Sequence, residues 1–157
     1  MKPVFSFCVL LLFIIADTSC MHKSNNYTIT GDYMIIGHPG GFVASPTINY
    51  YLISNGQVRE DTTVLYGVLP DDISKFNFNI VLSAAKYDSV KNLPSSIPSE
   101  LLSRNNQTIG KYIPDVGYTD IRTSVNGVAY RWTFPADQSS SSMAIQQIIS
   151  SINAAFK

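Results

Sequence analysis

YTDIRTSVNGVAYRWTF, residues 118–134, is the stretch on which the fold turns. Two runs rich in β-branched and aromatic residues, Tyr118 to Val125 and Val128 to Phe134, flank Asn126-Gly127. A two-residue type I′ turn needs positive φ at both central positions, which Asn and Gly adopt more readily than other residues, so the segment predicts a β-hairpin. In the returning arm Val128, Tyr130, Trp132 and Phe134 share one face, and Ala129, Arg131 and Thr133 the other. The chain's single tryptophan thus falls on an apolar face, as a core anchor.

Working outward, a second hairpin has the same grammar. TINYYLIS (47–54) leads into Asn55-Gly56, and residues 57–63 return, running on toward Val64-Leu65-Tyr66. DYMIIG (32–37) reads as a buried first strand, and the alternation of FNFNI (76–80) as an extended segment. Pro70-Asp71-Asp72 opens a turn or a short helix. Residues 83–92 predict a helix with Ser83 as N-cap, ended by Pro94, and Pro98 to Arg104 a second short one. After the polar loop 137–142, Ile145, Ile148, Ile149, Ile152 and Phe156 form one apolar helical stripe, with Gln146, Gln147, Ser150 and Asn153 opposite. The expectation is one α+β domain over residues 31–157. It has a mainly antiparallel sheet of about five strands, covered by the C-terminal helix and one or two shorter ones.

Charge narrows the function. Eleven basic and eleven acidic residues balance, and a neutral chain lacks the basic face that nucleic acid demands. Nine tyrosines, eight phenylalanines and the tryptophan supply core volume without disulfides, for the two cysteines, Cys8 and Cys20, both lie near the N-terminus.

There, VFSFCVLLLFII (4–15) is an uncharged, largely apolar run of export-signal length, short of the roughly 20 residues a membrane span requires. Ala16-Asp17-Thr18-Ser19-Cys20 follows, then the polar residues 21–26. A small residue before a cysteine after such a run resembles the lipobox of bacterial lipoproteins, with Asp17 where that family usually has leucine. The resemblance implies a signal peptide over 1–19, a lipidated Cys20 with a polar tether over 20–30, and attachment to the bacterial cell envelope. The alternative is an ordinary secretory signal and a secreted protein. One acyl chain holds weakly and two or more hold well, at about 0.8 kcal/mol per buried methylene.

Chemistry is sparse. His38 precedes Pro39-Gly40-Gly41-Phe42, and no His, Cys or acid stands near it at zinc-ligand spacing. Asp115 and Asp120 flank Tyr118 without the density of a calcium loop. Glu60-Asp61 and Asp71-Asp72 read as solvated turn charges. Two loops are candidate binding surface: His38, Gly40, Gly41 and Phe42, and the loop bearing Tyr112, Asp115 and Tyr118, whose aromatics suit an envelope protein or a glycan. Taken whole, Gly40-Gly41-Phe42, Tyr50-Tyr51-Leu52 with Asn55-Gly56, Tyr130-Arg131-Trp132 and the closing helix resemble small uncharacterised bacterial lipoproteins. That resemblance implies no activity and no cofactor. The expected function is a non-enzymatic binding or accessory module. The alternatives are a small hydrolase or metal-dependent enzyme using His38 with Asp115 or Asp120, or an inhibitor presenting the Gly40-Gly41 loop.

Overall fold

A computed structural model describes residues 27–39, 47–111, 113 and 116–156. Within it the chain is α+β. Seven strands form one sheet: β1 (Tyr33–Gly37), β2 (Thr47–Ser54), β3 (Gln57–Leu65), β4 (Ile80–Val81), β5 (Gln107–Thr108), β6 (Tyr118–Val125) and β7 (Val128–Pro135). Their order is β4-β3-β2-β1-β6-β7-β5. Every pairing is antiparallel except β5 with β7. The sheet is therefore larger than the five strands expected. The additional strands are two-residue edge pieces, too short to leave a periodic signature. Residues 76–79, read as extended from their alternation, belong to no strand; pairing starts at Ile80.

Both Asn-Gly turns form as expected, with φ of 50° and 73° at Asn55 and Gly56 and of 53° and 76° at Asn126 and Gly127. Asp32 fastens the second turn to the start of β1. Its carboxylate accepts the Asn126 and Gly127 amides at 3.2 and 3.4 Å. The Asn126 N–H, then that of Gly127, hold its pKa below the ordinary 3.8. A depressed folded-state pKa means the bonds stabilise the fold above pH 3.8 and are lost as pH falls through the folded value. In a carbon-13 NMR titration the Asp32 carboxyl should have its midpoint below 3.8, and the Asn126 and Gly127 amides should move with it. A midpoint at or above 3.8 would show that the turn is not tied down this way.

Helices cover one sheet face. Helix α1 (Ala84–Val90) is capped by Ser83, whose side chain accepts from the Lys86 amide, and α2 (Ser99–Leu102) follows Pro98. Helix α3 (Met143–Phe156) buries all five residues of its stripe. Ser142 caps it, accepting the Ile145 amide at 3.3 Å. These helices pack on Met34, Ile36, Ile53, Val58, Ile121, Trp132 and Phe134, and the Trp132 indole N–H donates to the Leu101 carbonyl at 3.1 Å. Val128 shares the face of Trp132 but stands 52 % exposed, beyond the helices' reach.

A strap, residues 66–79, covers part of the opposite face. Its Phe76 and Phe78 join Tyr33, Ile35, Ile48, Tyr50, Leu52 and Val64 in a second apolar cluster. Charged side chains hold the strap by its backbone. Asp61 accepts the Asn77 amide at 2.6 Å, Arg59 donates to the Phe78 carbonyl at 3.2 Å, and Arg122 donates to that of Pro70. Asp61 is not the solvated turn charge expected. It is wholly buried, and its second oxygen takes the Thr63 amide and hydroxyl at 2.7 and 2.6 Å. Alternation along β3 puts Asp61 on the strap side with Arg59, opposite Tyr50, next to an irregularity in the β2–β3 pairing between Ile48 and Tyr50.

Candidate functional site

The second face carries a buried ionic cluster, and alternation along β6 puts it there. Asp120, Arg122 and Ser124 project to the strap side, while Thr119, Ile121 and Thr123 project the other way. Asp120 is wholly buried and Arg122 is 3 % exposed. One Asp120 oxygen accepts from Arg122 Nε at 3.0 Å and from the Tyr50 hydroxyl at 3.2 Å. The other accepts from Arg131 Nε, on β7, at 3.1 Å.

Tyr50 reaches Asp120 only because Gly37 lies between them. Gly37 is the β1 residue opposite both Tyr50 on β2 and Asp120 on β6. With no side chain there, the tyrosine ring lies across β1; a methyl group on Gly37 would overlap it. Burial, and then the Asp120 charge, push the Tyr50 phenol far above its ordinary pKa, so it is a permanent donor.

Arg122 and Arg131 are direct cross-strand partners. Like charges so placed repel, and the carboxylate between them offsets this. Burial opposes the Arg131 charge, but Asp120 outweighs it and the guanidinium pKa is raised. The Arg122 guanidinium also stacks over Phe76, 5.0 Å from the ring centre. Its Nη2 is buried without a hydrogen-bond partner.

Beside the pair opens a cavity of about 260 Å³, walled by both arginines, Tyr33, Tyr130, Asn105 and the strap residues Asp71 and Ile73. Asn105 is rigidly held: its carbonyl oxygen accepts the Arg131 and Asn106 amides at 2.9 Å, and its amide donates to Ala129. Asp71, its side chain 95 % exposed, approaches Arg131 Nη1 at 3.6 Å. A second hollow of about 290 Å³, lined by Tyr27, Ile29, Phe76 and Phe78 among others, is mostly apolar.

Among the residues singled out from sequence, Cys20, Gly40, Gly41, Phe42, Tyr112 and Asp115 lie outside the described residues. His38 and Tyr118 are brought close: the Tyr118 amide donates to the Pro39 carbonyl at 3.1 Å, and His38 Nδ1 sits 3.2 Å from the Thr119 hydroxyl. His38 is not joined to Asp120. Thr119 and Asp120 project to opposite faces, and the Asp120 oxygens serve Tyr50 and the two arginines. Nor is Asp120 open to a cation, enclosed as it is by two guanidinium groups. Among the described residues no three His, Cys, Asp or Glu side chains converge as a metal-holding group, and no helix is long and apolar enough to cross a membrane.

Sequence reasoning passed over Arg122, Arg131 and Tyr50. The signal was available: opposite charges two apart on one strand face, with a further arginine opposite in a hairpin whose turn fixes the register. Compared with known proteins, the chain matches no family model and no curated sequence at a significant level.

Proposed function

We propose that the chain is a lipid-anchored protein of the bacterial cell envelope, working as a non-enzymatic binding module. The anchor reading rests on Cys20, which follows Ser19 shortly after an apolar run too short to span a bilayer. The binding reading is supported chiefly by one observation: a wholly buried carboxylate of the second face, Asp120, is engaged as a counter-ion to both Arg122 and Arg131. A general acid or base needs a lone pair or proton that faces substrate, and Asp120 is wholly buried with three of its roughly four acceptor sites spent on Tyr50 and the two arginines. What this face offers instead is a fixed guanidinium pair beside a cavity, which is recognition chemistry.

Metabolic labelling with a radioactive fatty acid tests the anchor. The wild-type protein should take up label and partition with membranes, and Cys20→Ser should lose both. Equal labelling of the two proteins would refute lipidation at Cys20.

A further inference from the structure

We infer that the cavity beside β6 and β7 binds an oxyanion, a carboxylate or phosphate group carried by a small ligand, between Arg122 and Arg131. This gives the binding-module reading its site and rests on that reading. Four observations converge on it. Two guanidinium groups stand directly opposite each other with one buried carboxylate, so the second positive charge is matched only by the exposed Asp71. Like-charge cross-strand pairs are unfavourable and persist where something compensates them.

Next, the donors are unevenly used. Arg122 spends Nε on Asp120 and Nη1 on Pro70, while Nη2 is buried without a partner. A buried unpaired donor on a charged group is costly, and it adds to the positive charge that Arg122 brings to the wall of the cavity. Third, Asp71 supplies only a loose counter-charge. At 3.6 Å from Arg131 Nη1 and 95 % exposed, it is a carboxylate that a ligand oxyanion can displace. Finally, Asn105 holds the Arg131 backbone amide and Asp120 its Nε, so the fork meets its ligand with little loss of freedom. The volume, about 260 Å³, accommodates a charged headgroup and a few further atoms rather than a drug-sized ligand.

The test is a nitrogen-15 NMR titration with sodium acetate and, separately, inorganic phosphate, each against sodium chloride at constant ionic strength. Saturable shifts are expected at the amides of Asn105, Asn106 and residues 129–131. Asp71→Asn removes the internal competitor from a fully solvated position and should tighten binding roughly two- to fivefold. Arg131→Gln should weaken it about tenfold. Saturation by one probe alone supports the site and identifies the oxyanion geometry it prefers. If neither probe saturates even Asp71→Asn, or if binding ignores both substitutions, the inference is overturned. Lipid labelling at Cys20 does not involve this cavity, so anchor and site can fail separately.

Discussion

Replacing Asp120 by alanine should lower folding stability by about 3–5 kcal/mol, the range for stripping the partner from a buried charge. The magnitude follows from what stays behind. Arg122 is 3 % exposed and directly opposite Arg131; without the carboxylate a buried cation is left unpaired and facing a second one. The Tyr50 hydroxyl loses its acceptor as well. Small domains are stable by about 5–15 kcal/mol, so this one change consumes a large share of the margin. Urea denaturation would measure it. Adding Arg122→Met should recover part of the loss, because the uncompensated charge, rather than the missing contact, dominates. A loss under about 1 kcal/mol for Asp120→Ala, typical of an exposed ion pair, would mean that the cluster is solvated.

Gly37→Ala should be the second severe change, at about 3 kcal/mol, the upper end for forced overpacking. A strand glycine exchanged for alanine would ordinarily gain about 0.5–1 kcal/mol from chain entropy. Here the methyl group would occupy the space of the Tyr50 ring. The ring is fixed beneath Phe76, with centroids 4.8 Å apart, and at its tip by Asp120, so it has no easy retreat. A double-mutant cycle isolates the cause. In a Tyr50→Leu background the alanine should add less than about 1 kcal/mol, since the overlapping ring is gone. Equal penalties in both backgrounds would place the damage elsewhere than at this crossing.

Local features of the fold were legible in the sequence because their physics is local. Asn-Gly fixed both hairpins, Ser83 announced α1, and a stripe from Ile145 to Phe156 oriented α3. The central place of β1, between β2 and β6, depends on partners more than 80 residues away along the chain at one side and leaves no local mark. The strap was misread for a related reason. Phe76 and Phe78 alternate with asparagines as in a strand, yet they serve as apolar plugs over another sheet surface. That covering also inverted the reading of the charges. Tyr118, Asp120, Arg122 and Ser124 alternate with Thr119, Ile121 and Thr123, the pattern of a strand with one wet face. Once residues 66–79 fold over it, the wet face becomes interior, and its charges must neutralise one another. His38, conspicuous in sequence as one of two histidines, lies instead against Thr119.

The cluster itself can be observed through the arginine Nε–H protons, using proton–nitrogen NMR tuned to guanidinium groups at neutral pH. Arg122 Nε–H, hydrogen-bonded to Asp120 with its side chain 4 % exposed, should give a sharp signal that exchanges far more slowly than that of partly exposed Arg104, whose Nε–H is bonded only to Gln107 at the surface. Asp120→Asn should broaden it or abolish its protection. An Arg122 signal exchanging as fast as that of Arg104 in the wild-type protein would contradict a buried ionic cluster on the second face of the sheet.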